Sequence, residues 1–111
     1  MAQKVNLSVD QGTTFLASLI VTDVDTDEPL DISVYTATGQ IRKFYTSSNS
    51  VNIECLAGET LGSLVLHMTP AVTGTLKAGR YVYDVELHEA IGNTTIRVIE
   101  GIVTVNPEVT K

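Results

Sequence analysis

The sequence predicts a single all-β domain spanning residues 1–111, built as a sandwich of about seven or eight antiparallel strands with one short helical turn. Three observations predict this class. Short segments alternate apolar and polar residues with the period of two that a half-buried strand requires. Turn signals containing glycine, proline or asparagine separate these segments at short intervals. A chain of 111 residues is also long enough to bury a core without disulfides or metals.

The clearest strand follows a tight corner between Leu76 and Gly79. One face of this strand carries Tyr81, Tyr83, Val85 and Leu87, and the other carries Val82, Asp84, Glu86 and His88. Tyr81 stands where a tyrosine corner has its tyrosine, whose hydroxyl binds backbone a few residues upstream. Tyr83 then occupies the place of the second cysteine of an antibody domain. This arrangement predicts an immunoglobulin-like sandwich.

The N-terminal third contains two strand patterns and an acidic loop. Residues 5–9 alternate as a short first strand, which ends at the turn-forming residues 10–12. The second strand covers residues 13–21. After Phe15, both its odd-numbered and its even-numbered positions are mostly apolar, so both faces of the strand are apolar. We therefore expect one of its ends to be covered on both faces, by the opposing sheet and by a loop or a partner. Residues 23–31 form an acidic loop, in which Pro29 breaks any strand.

The centre of the chain repeats the strand pattern twice. Alternation resumes in residues 33–45, where Gly39 inside the strand predicts a bulge or the close approach of another backbone. Residues 46–50 are a loop by composition. Residues 51–55 alternate again, which places Cys55 on the apolar face.

Residues 63–68 form the next strand, and a helical turn follows it. The inward residues of this strand are Leu64, Leu66 and Met68, and His67 faces outward. Residues 69–75 predict one helical turn, since Thr69 suits the N-cap, Pro70 the first helical position and Gly74 the exit. This turn delivers the chain into the corner at Leu76.

The last part of the chain predicts a hairpin and a long final strand. Residues 89–93 form the hairpin loop, where the pair Gly92-Asn93 favours the positive φ of tight turns. Residues 94–105 make the last strand or pair of strands, with a bulge expected at residues 100–101, and Pro107 ends it. The number and spacing of the strands fit an immunoglobulin-like sandwich, and an open-ended barrel is the alternative.

The composition excludes several classes of partner. The formal net charge of −6 argues against nucleic-acid backbones and anionic membranes, because both attract clustered lysine and arginine. No apolar run approaches the roughly 20 residues of a membrane span, and the N-terminus lacks a signal-peptide pattern, so we expect a soluble chain. Cys55 is the single cysteine, which excludes an intramolecular disulfide and fits synthesis in the cytosol.

One acidic segment has part of the pattern of a calcium loop. Asp23, Asp25 and Asp27 have the alternate spacing at which oxygen ligands converge on one cation. The rest of the loop is missing, since Glu28 stands where the sharp turn needs glycine and Val34 where a bidentate glutamate belongs. A solvated loop is therefore the expected structure, with adventitious surface calcium as the alternative.

No catalytic, cofactor-binding or metal site is expected in this chain. His67 and His88 are the only histidines, and neither stands at a spacing that indicates a catalytic triad. His88 shares a strand face with Asp84 and Glu86, which predicts an ordinary polar outer face in preference to a metal or acid–base cluster. Cys55 has no basic neighbour in sequence and is interpreted as a small packed hydrophobe, not as a reactive thiol.

Several strand and corner motifs occur together in an order typical of one known family. They are Asp10–Phe15, Pro29–Ile32, Tyr35–Arg42, Gly62–Leu66, Thr69–Pro70, Leu76–Asp84 and Gly101–Val105. In this order they resemble the immunoglobulin-like domain found at the start of baseplate upper proteins and in many small virion proteins of tailed phages. The likeness spans nearly the whole chain. Residues 31–34, Asp-Ile-Ser-Val, depart from the Asp-Leu-Thr-Gly of that family.

The resemblance implies a non-enzymatic structural protein of the virion, either a component of the tail or baseplate or a decoration of the capsid. Its partners would be other virion proteins, with a homo-oligomer within the particle, and it would be assembled in the host cytoplasm. An acidic, disulfide-free sandwich offers strand edges and loops for such contacts. We expect the contact surface to be an edge strand or the loops at residues 23–31 and 46–50.

Two other functions stay open from the sequence. A carbohydrate-binding module could contact the host surface, and Tyr45 is the exposed aromatic residue on which such binding would be tested. Sugar sites usually present aromatic platforms, whereas this chain has no tryptophan and three of its four tyrosines fall on expected core positions. The other alternative is an enzyme or an inhibitor of a host enzyme.

Overall fold

The computed structural model describes residues 3–22, 28–32, 35–44, 49–89 and 92–109. These residues form eight strands and one helical turn. They are β1 (Gln3–Lys4), β2 (Leu7–Asp10), β3 (Phe15–Ile20), β4 (Tyr35–Arg42), β5 (Val51–Ala57), β6 (Ser63–Met68), α1 (Pro70–Thr73), β7 (Gly79–Glu89) and β8 (Thr94–Asn106).

The strands follow one continuous path of pairing, in the order β1-β8-β7-β4-β5-β6-β3, with β2 also paired to β8. β5 belongs to both halves of this path, because residues 51–53 pair with β4 and residues 54–57 pair with β6. Side chains from both halves meet in one hydrophobic core. The all-β class is therefore confirmed, and the immunoglobulin-like sandwich within that class stays a prediction.

The N-terminal strands depart from the prediction that all strands are antiparallel. β1 and β2 both run parallel to β8, with Gln3 opposite Ile99 and Leu7 opposite Val103. A hairpin forces two consecutive strands to be antiparallel, but β1 and β8 lie at opposite ends of the chain. No turn sets their relative direction, and burial of Leu7 and Val9 holds β2 in place.

The predicted alternation is confirmed in β4, β6 and β7. Their buried apolar side chains are Ile41, Leu64, Leu66, Met68, Tyr83, Val85 and Leu87. The paired N- and C-terminal strands add Val9, Val103 and Val105 to the same core. Because each fully buried side chain of this kind contributes about 1.5–3 kcal/mol, the period of two places most of the stabilising surface on one side of each strand.

The predicted helical turn is confirmed as α1. Thr69 is its N-cap, since the Thr69 hydroxyl accepts a hydrogen bond from Val72 N at 3.4 Å. Thr73 is fully buried, and its hydroxyl donates to the carbonyl oxygen of Thr13 at 2.7 Å. α1 is thereby attached to the turn that precedes β3.

The predicted bulge at residues 100–101 is wrong, because Tyr83 and Asp84 pair with Gly101 and Glu100 without a register shift. The register between β7 and β8 shifts instead between Val85 and Glu86, and Val98 is the extra residue of β8. Val98 and Ile99 are both buried. The bulge therefore lets two successive residues of β8 face the core.

Gly101 has a different role, because the main chain of Val5 passes directly over it. A Cβ atom on Gly101 would overlap the carbonyl oxygen of Val5. Val5 N donates to the carbonyl of Glu100 at 2.9 Å, and Ile102 N donates to Asn6 Oδ1 at 3.2 Å. The predicted first strand, residues 5–9, therefore begins only at Leu7, as β2, and the short strand β1 precedes this crossing.

Gly39 carries no bulge, since its pairing with β7 is uninterrupted. A Cβ atom there would lie 3.1 Å from Cys55 Sγ and 3.2 Å from Ile53 Cβ. Side chains of β5, and not another backbone, therefore occupy the space over Gly39. They do so where β5 leaves β4 for β6.

Three predicted loops, at residues 23–31, 46–50 and 89–93, are only partly described. Residues 23–27, 33–34, 45–48 and 90–91 lie outside the described residues, and with them Asp23, Asp25, Asp27 and Val34 of the calcium pattern and most of the 46–50 loop. In the hairpin after β7, Gly92 has a φ of 94° and Asn93 of 55°, which confirms the positive-φ turn. Among the described residues, no helix has the length and apolar character needed to cross a membrane.

Candidate contact surface

β3 lies at one end of the strand path and pairs only with β6. Its sequence, Phe-Leu-Ala-Ser-Leu-Ile, contains no charged residue and no proline. The register with β6 is regular from Phe15 to Ile20, so no bulge turns the strand away. Charges, prolines and bulges are the devices that usually keep edge strands from pairing with other chains. β3 has none of them.

The backbone of β3 presents three residues to the free edge. Val21 N donates to the carbonyl of Gly62 at 2.8 Å, so Val21 points toward the β6 side. Successive residues of a strand point their N–H and C=O groups to opposite sides. Leu16, Ser18 and Ile20 therefore point theirs away from β6, and no other strand of the described chain pairs with them there.

The side chains of the same three residues lie on the outer face of the fold. Leu16 is 66% exposed and Ile20 is 44% exposed. Across the sheet, Ser18 is opposite Val65, which is in turn opposite Leu56 of β5, itself 49% exposed. We call Leu16, Ser18, Ile20, Leu56 and Val65 the β3 face. It is an apolar surface adjoining an unpaired strand edge.

The exposure of the β3 face bears on the expectation that both faces of β3 are covered. Because β3 has apolar residues on both of its faces, we expected one of its ends to be covered on both faces, by the opposing sheet and by a loop or a partner. Phe15 is buried in the core. In the described chain, no loop covers Leu16 or Ile20, which are exposed. Cover by a loop is therefore wrong for these two side chains, and cover by a partner stays a prediction.

A polar pair borders the β3 face beside Leu16. His67 lies opposite Leu16 on one side and opposite Glu54 on the other. His67 Nδ1 is 3.1 Å from Glu54 Oε1, and both side chains are partly exposed. An exposed cross-strand pair of this kind contributes only a few tenths of a kcal/mol up to about 1 kcal/mol. It borders the apolar face beside Leu16.

The corner that opens β7 has the structural role predicted for it. The hydroxyl of Tyr81 donates to the carbonyl of Lys77 at 2.7 Å, which confirms the tyrosine corner. Gln11 Nε2 donates to the carbonyl of Leu76 at 2.9 Å, so the turn before β3 supports the same corner. An open groove of about 460 Å³ adjoins it, and the Nζ atom of Lys43 lies 4.8 Å from the centre of the Tyr81 ring.

Tyr83 lies in the core, as predicted, and connects β7 to the first strands. Its side chain is only 2% exposed, and its hydroxyl donates to the carbonyl of Val5 at 2.5 Å. Burial raises the pKa of Tyr83 from 10.0 to about 12, because the charged phenolate loses its hydration. The residue therefore stays neutral and acts as a hydrogen-bond donor at neutral pH.

The strand face that carries His88 is polar, and its side chains contact one another across neighbouring strands. Arg97 Nε lies 3.3 Å from Asp84 Oδ2, and Arg97 Nη1 lies 3.5 Å from Glu100 Oε2. His88 Nδ1 lies 2.9 Å from the hydroxyl of Thr95. Within the part of the chain that the structure describes, no three histidine, cysteine or carboxylate side chains are grouped closely enough to hold a metal.

Cys55 is partly buried beside Gly39, on the side predicted from alternation. Its thiol donates to the carbonyl of Ile53 at 3.5 Å. Burial, and secondarily the negative charge of Glu54, raise the pKa of Cys55 from 9.0 to about 11. A thiol with so high a pKa is almost entirely protonated at neutral pH and is a poor nucleophile.

The structure places one of the predicted contact surfaces, the edge strand, among the described residues. The loops at residues 23–31 and 46–50 are described only in part, and Tyr45 of the glycan hypothesis lies outside the described residues. Comparison with protein-family models and with curated proteins finds no match for this chain. Sequence reasoning did not identify β3 as the edge strand, because apolar residues at both odd and even positions are equally typical of a strand that is buried on both faces.

Proposed function

We propose that this protein is a structural component of a tailed-phage virion, a tail or baseplate part or a capsid decoration, and that it acts through protein–protein contacts. The observation that carries the proposal is the β3 face, where an unpaired strand edge adjoins exposed Leu16 and Ile20. Edge strands bind partners through main-chain hydrogen bonds, while neighbouring side chains give specificity.

The family resemblance of the strand and corner motifs supports the same function. Two of those motifs are in direct contact, since Gln11 of the first motif donates to the carbonyl of Leu76, which begins the corner motif. These two residues stabilise a corner of the fold. In the proposed role the protein is non-enzymatic, needs no cofactor, and has other virion proteins as partners, after assembly in the host cytoplasm.

The test is the protein inventory of purified particles. Particles of the encoding phage are separated on a density gradient, and each fraction is analysed by quantitative mass spectrometry. We expect the chain to follow the major capsid protein through the gradient at a constant ratio. An abundant host cytoplasmic protein serves as the control and should not follow the particles. Presence of the chain in infected-cell lysate, together with its absence from intact particles, would contradict the proposal.

A cryo-electron map of the same particles distinguishes the locations. Density for an all-β domain at the tail, the baseplate or the capsid surface would identify the part of the virion. The map would also show whether β3 or another surface contacts the neighbouring protein.

A further inference from the structure

We propose that two copies of this chain pair through their β3 strands, antiparallel and centred on Ser18, so that the sheet continues from one copy into the other. The inference rests on the proposed function only in taking contacts between copies as the purpose of the β3 face. It names the partner, the strand and the register of that contact.

The direction of the backbone groups defines the register. Leu16, Ser18 and Ile20 point their N–H and C=O groups to the free edge, as the Val21–Gly62 hydrogen bond establishes. In a two-fold arrangement about Ser18, the two Ser18 residues face each other and Leu16 faces Ile20 of the other copy. Each of these three pairs has both residues pointing at its partner, so every pair exchanges two hydrogen bonds.

The side chains are self-complementary in that register. Leu16 and Ile20 stand two residues on either side of Ser18 and lie on the same exposed face. Pairing therefore brings an exposed leucine beside an exposed isoleucine twice, with the small serines between them. A two-fold interface requires that one surface match itself in this way.

The distribution of charge favours a second copy at this edge. The chain carries a net charge of −6, so copies repel each other at most surfaces. Residues 11–22 form an uncharged run that contains the whole of β3. The opposite end of the strand path differs, because β2 carries Asp10 at its end, which accepts a hydrogen bond from Asn106 Nδ2 at 3.0 Å. Because β3 itself carries no charge, pairing of two copies there sets no like charges directly opposite each other.

A charge-placement experiment tests the partner and the register together. Analytical ultracentrifugation measures the dissociation constant of the full chain, for which we expect a monomer–dimer equilibrium. Leu16→Lys with Ile20→Lys sets like charges opposite each other at two places, and should raise the dissociation constant by at least about tenfold. Leu16→Lys with Ile20→Glu sets opposite charges there, and should recover most of the affinity.

A control pair adds the same charge elsewhere. Thr38 and Ile102 are exposed on the outer faces of β4 and β8, and Ile102 is 42% exposed, close to the value for Ile20. Thr38→Lys with Ile102→Lys should leave the dissociation constant unchanged within about twofold. Circular dichroism of every variant checks that the fold is retained.

Cross-linking tests the centre of the register independently of affinity. Hydrogen-bonded antiparallel pairs have Cα atoms about 5.5 Å apart, which is within the range for a disulfide. In a Cys55→Ser background, Ser18→Cys should form a covalent dimer on mild oxidation, whereas Thr38→Cys should not. A wild-type chain that stays monomeric at every concentration, or equal weakening by both charge pairs at residues 16 and 20, would overturn the inference. Absence of the chain from particles would instead overturn the proposed function.

Discussion

The hydroxyl of Tyr81 lies 2.7 Å from the carbonyl oxygen of Lys77 and donates a hydrogen bond to it. This bond closes the corner through which the chain passes from α1 into β7. Lys43, the residue after β4, approaches the same corner, and its Nζ atom donates to the carbonyl of Arg80 at 3.0 Å. The corner is thus held by one phenol and one ammonium group, each bound to backbone.

Removing the Tyr81 hydroxyl should destabilise the fold modestly. Tyr81→Phe loses one hydrogen bond at a partly exposed site, so we expect a loss of about 0.5–1.5 kcal/mol in the free energy of unfolding. Urea denaturation followed by circular dichroism measures it. Tyr35→Phe is the matched control, because the described chain gives the Tyr35 hydroxyl no hydrogen-bond partner. Equal stability of wild type and Tyr81→Phe would show that the corner bond contributes nothing.

Tyr83 should make stability depend on pH at high pH. Its pKa is about 12 in the folded chain and near 10.0 when unfolded, so the folded state holds the proton more tightly. Its contribution is therefore fully present below pH 10 and is lost as pH rises from 10 toward 12, at up to about 1.4 kcal/mol per pH unit. Cys55 adds a loss in the same direction between pH 9 and 11.

The variant Tyr83→Phe separates the contribution of Tyr83 from that of Cys55 to the loss of stability at high pH. The variant should be less stable at neutral pH by about 1–3 kcal/mol, because the carbonyl of Val5 loses its buried donor. It should also lose stability less steeply than wild type above pH 10. Urea denaturation at a series of pH values measures both effects. Parallel pH profiles of the two proteins would contradict the role assigned to Tyr83.

Adding a methyl group at Gly101 should loosen the N-terminal strands. In Gly101→Ala, the new Cβ overlaps the carbonyl of Val5, and β1 and β2 must shift away from β8. Such overpacking costs about 1–3 kcal/mol. Hydrogen exchange should show faster exchange at Val5 and within β2. Ile102→Ala, at the exposed neighbouring residue, is the control and should leave exchange there unchanged.

Cys55 should react slowly with thiol reagents. A shift of its pKa from 9.0 to about 11 lowers the thiolate fraction at pH 8 by about 100-fold. The rate with Ellman's reagent should be lower than that of the urea-unfolded chain by about this factor. Rates within a few-fold of each other would indicate that the thiol is accessible and ionisable in the folded state.

Local patterns predicted the local structure well. The alternation after Tyr81, the Thr69 cap and the Gly92-Asn93 turn depend on neighbouring residues, and each is confirmed. The bulge of β8 was not decided locally. Adjacent apolar residues occur both at Val98–Ile99 and at Ile102–Val103, and only the burial of both residues of the first pair identifies the extra residue.

Contacts between distant parts of the chain could not be inferred in this way. A glycine inside a strand indicates missing bulk, but not what occupies the space. At Gly101 it is the Val5 main chain, and at Gly39 it is the Cys55 and Ile53 side chains. Which of these applies depends on strand pairing between segments far apart in sequence.

The sequence by itself determined the all-β class, the positions of most strands and the corner at Tyr81, because period and turn preference are properties of neighbouring residues. Only the tertiary structure decided that β1 and β2 run parallel to β8 and that β3 is an edge strand. The type of an apolar residue does not show whether its side chain is buried or exposed in the folded protein. Leu16 and Ile20 become a candidate contact surface only once every neighbouring strand has its place.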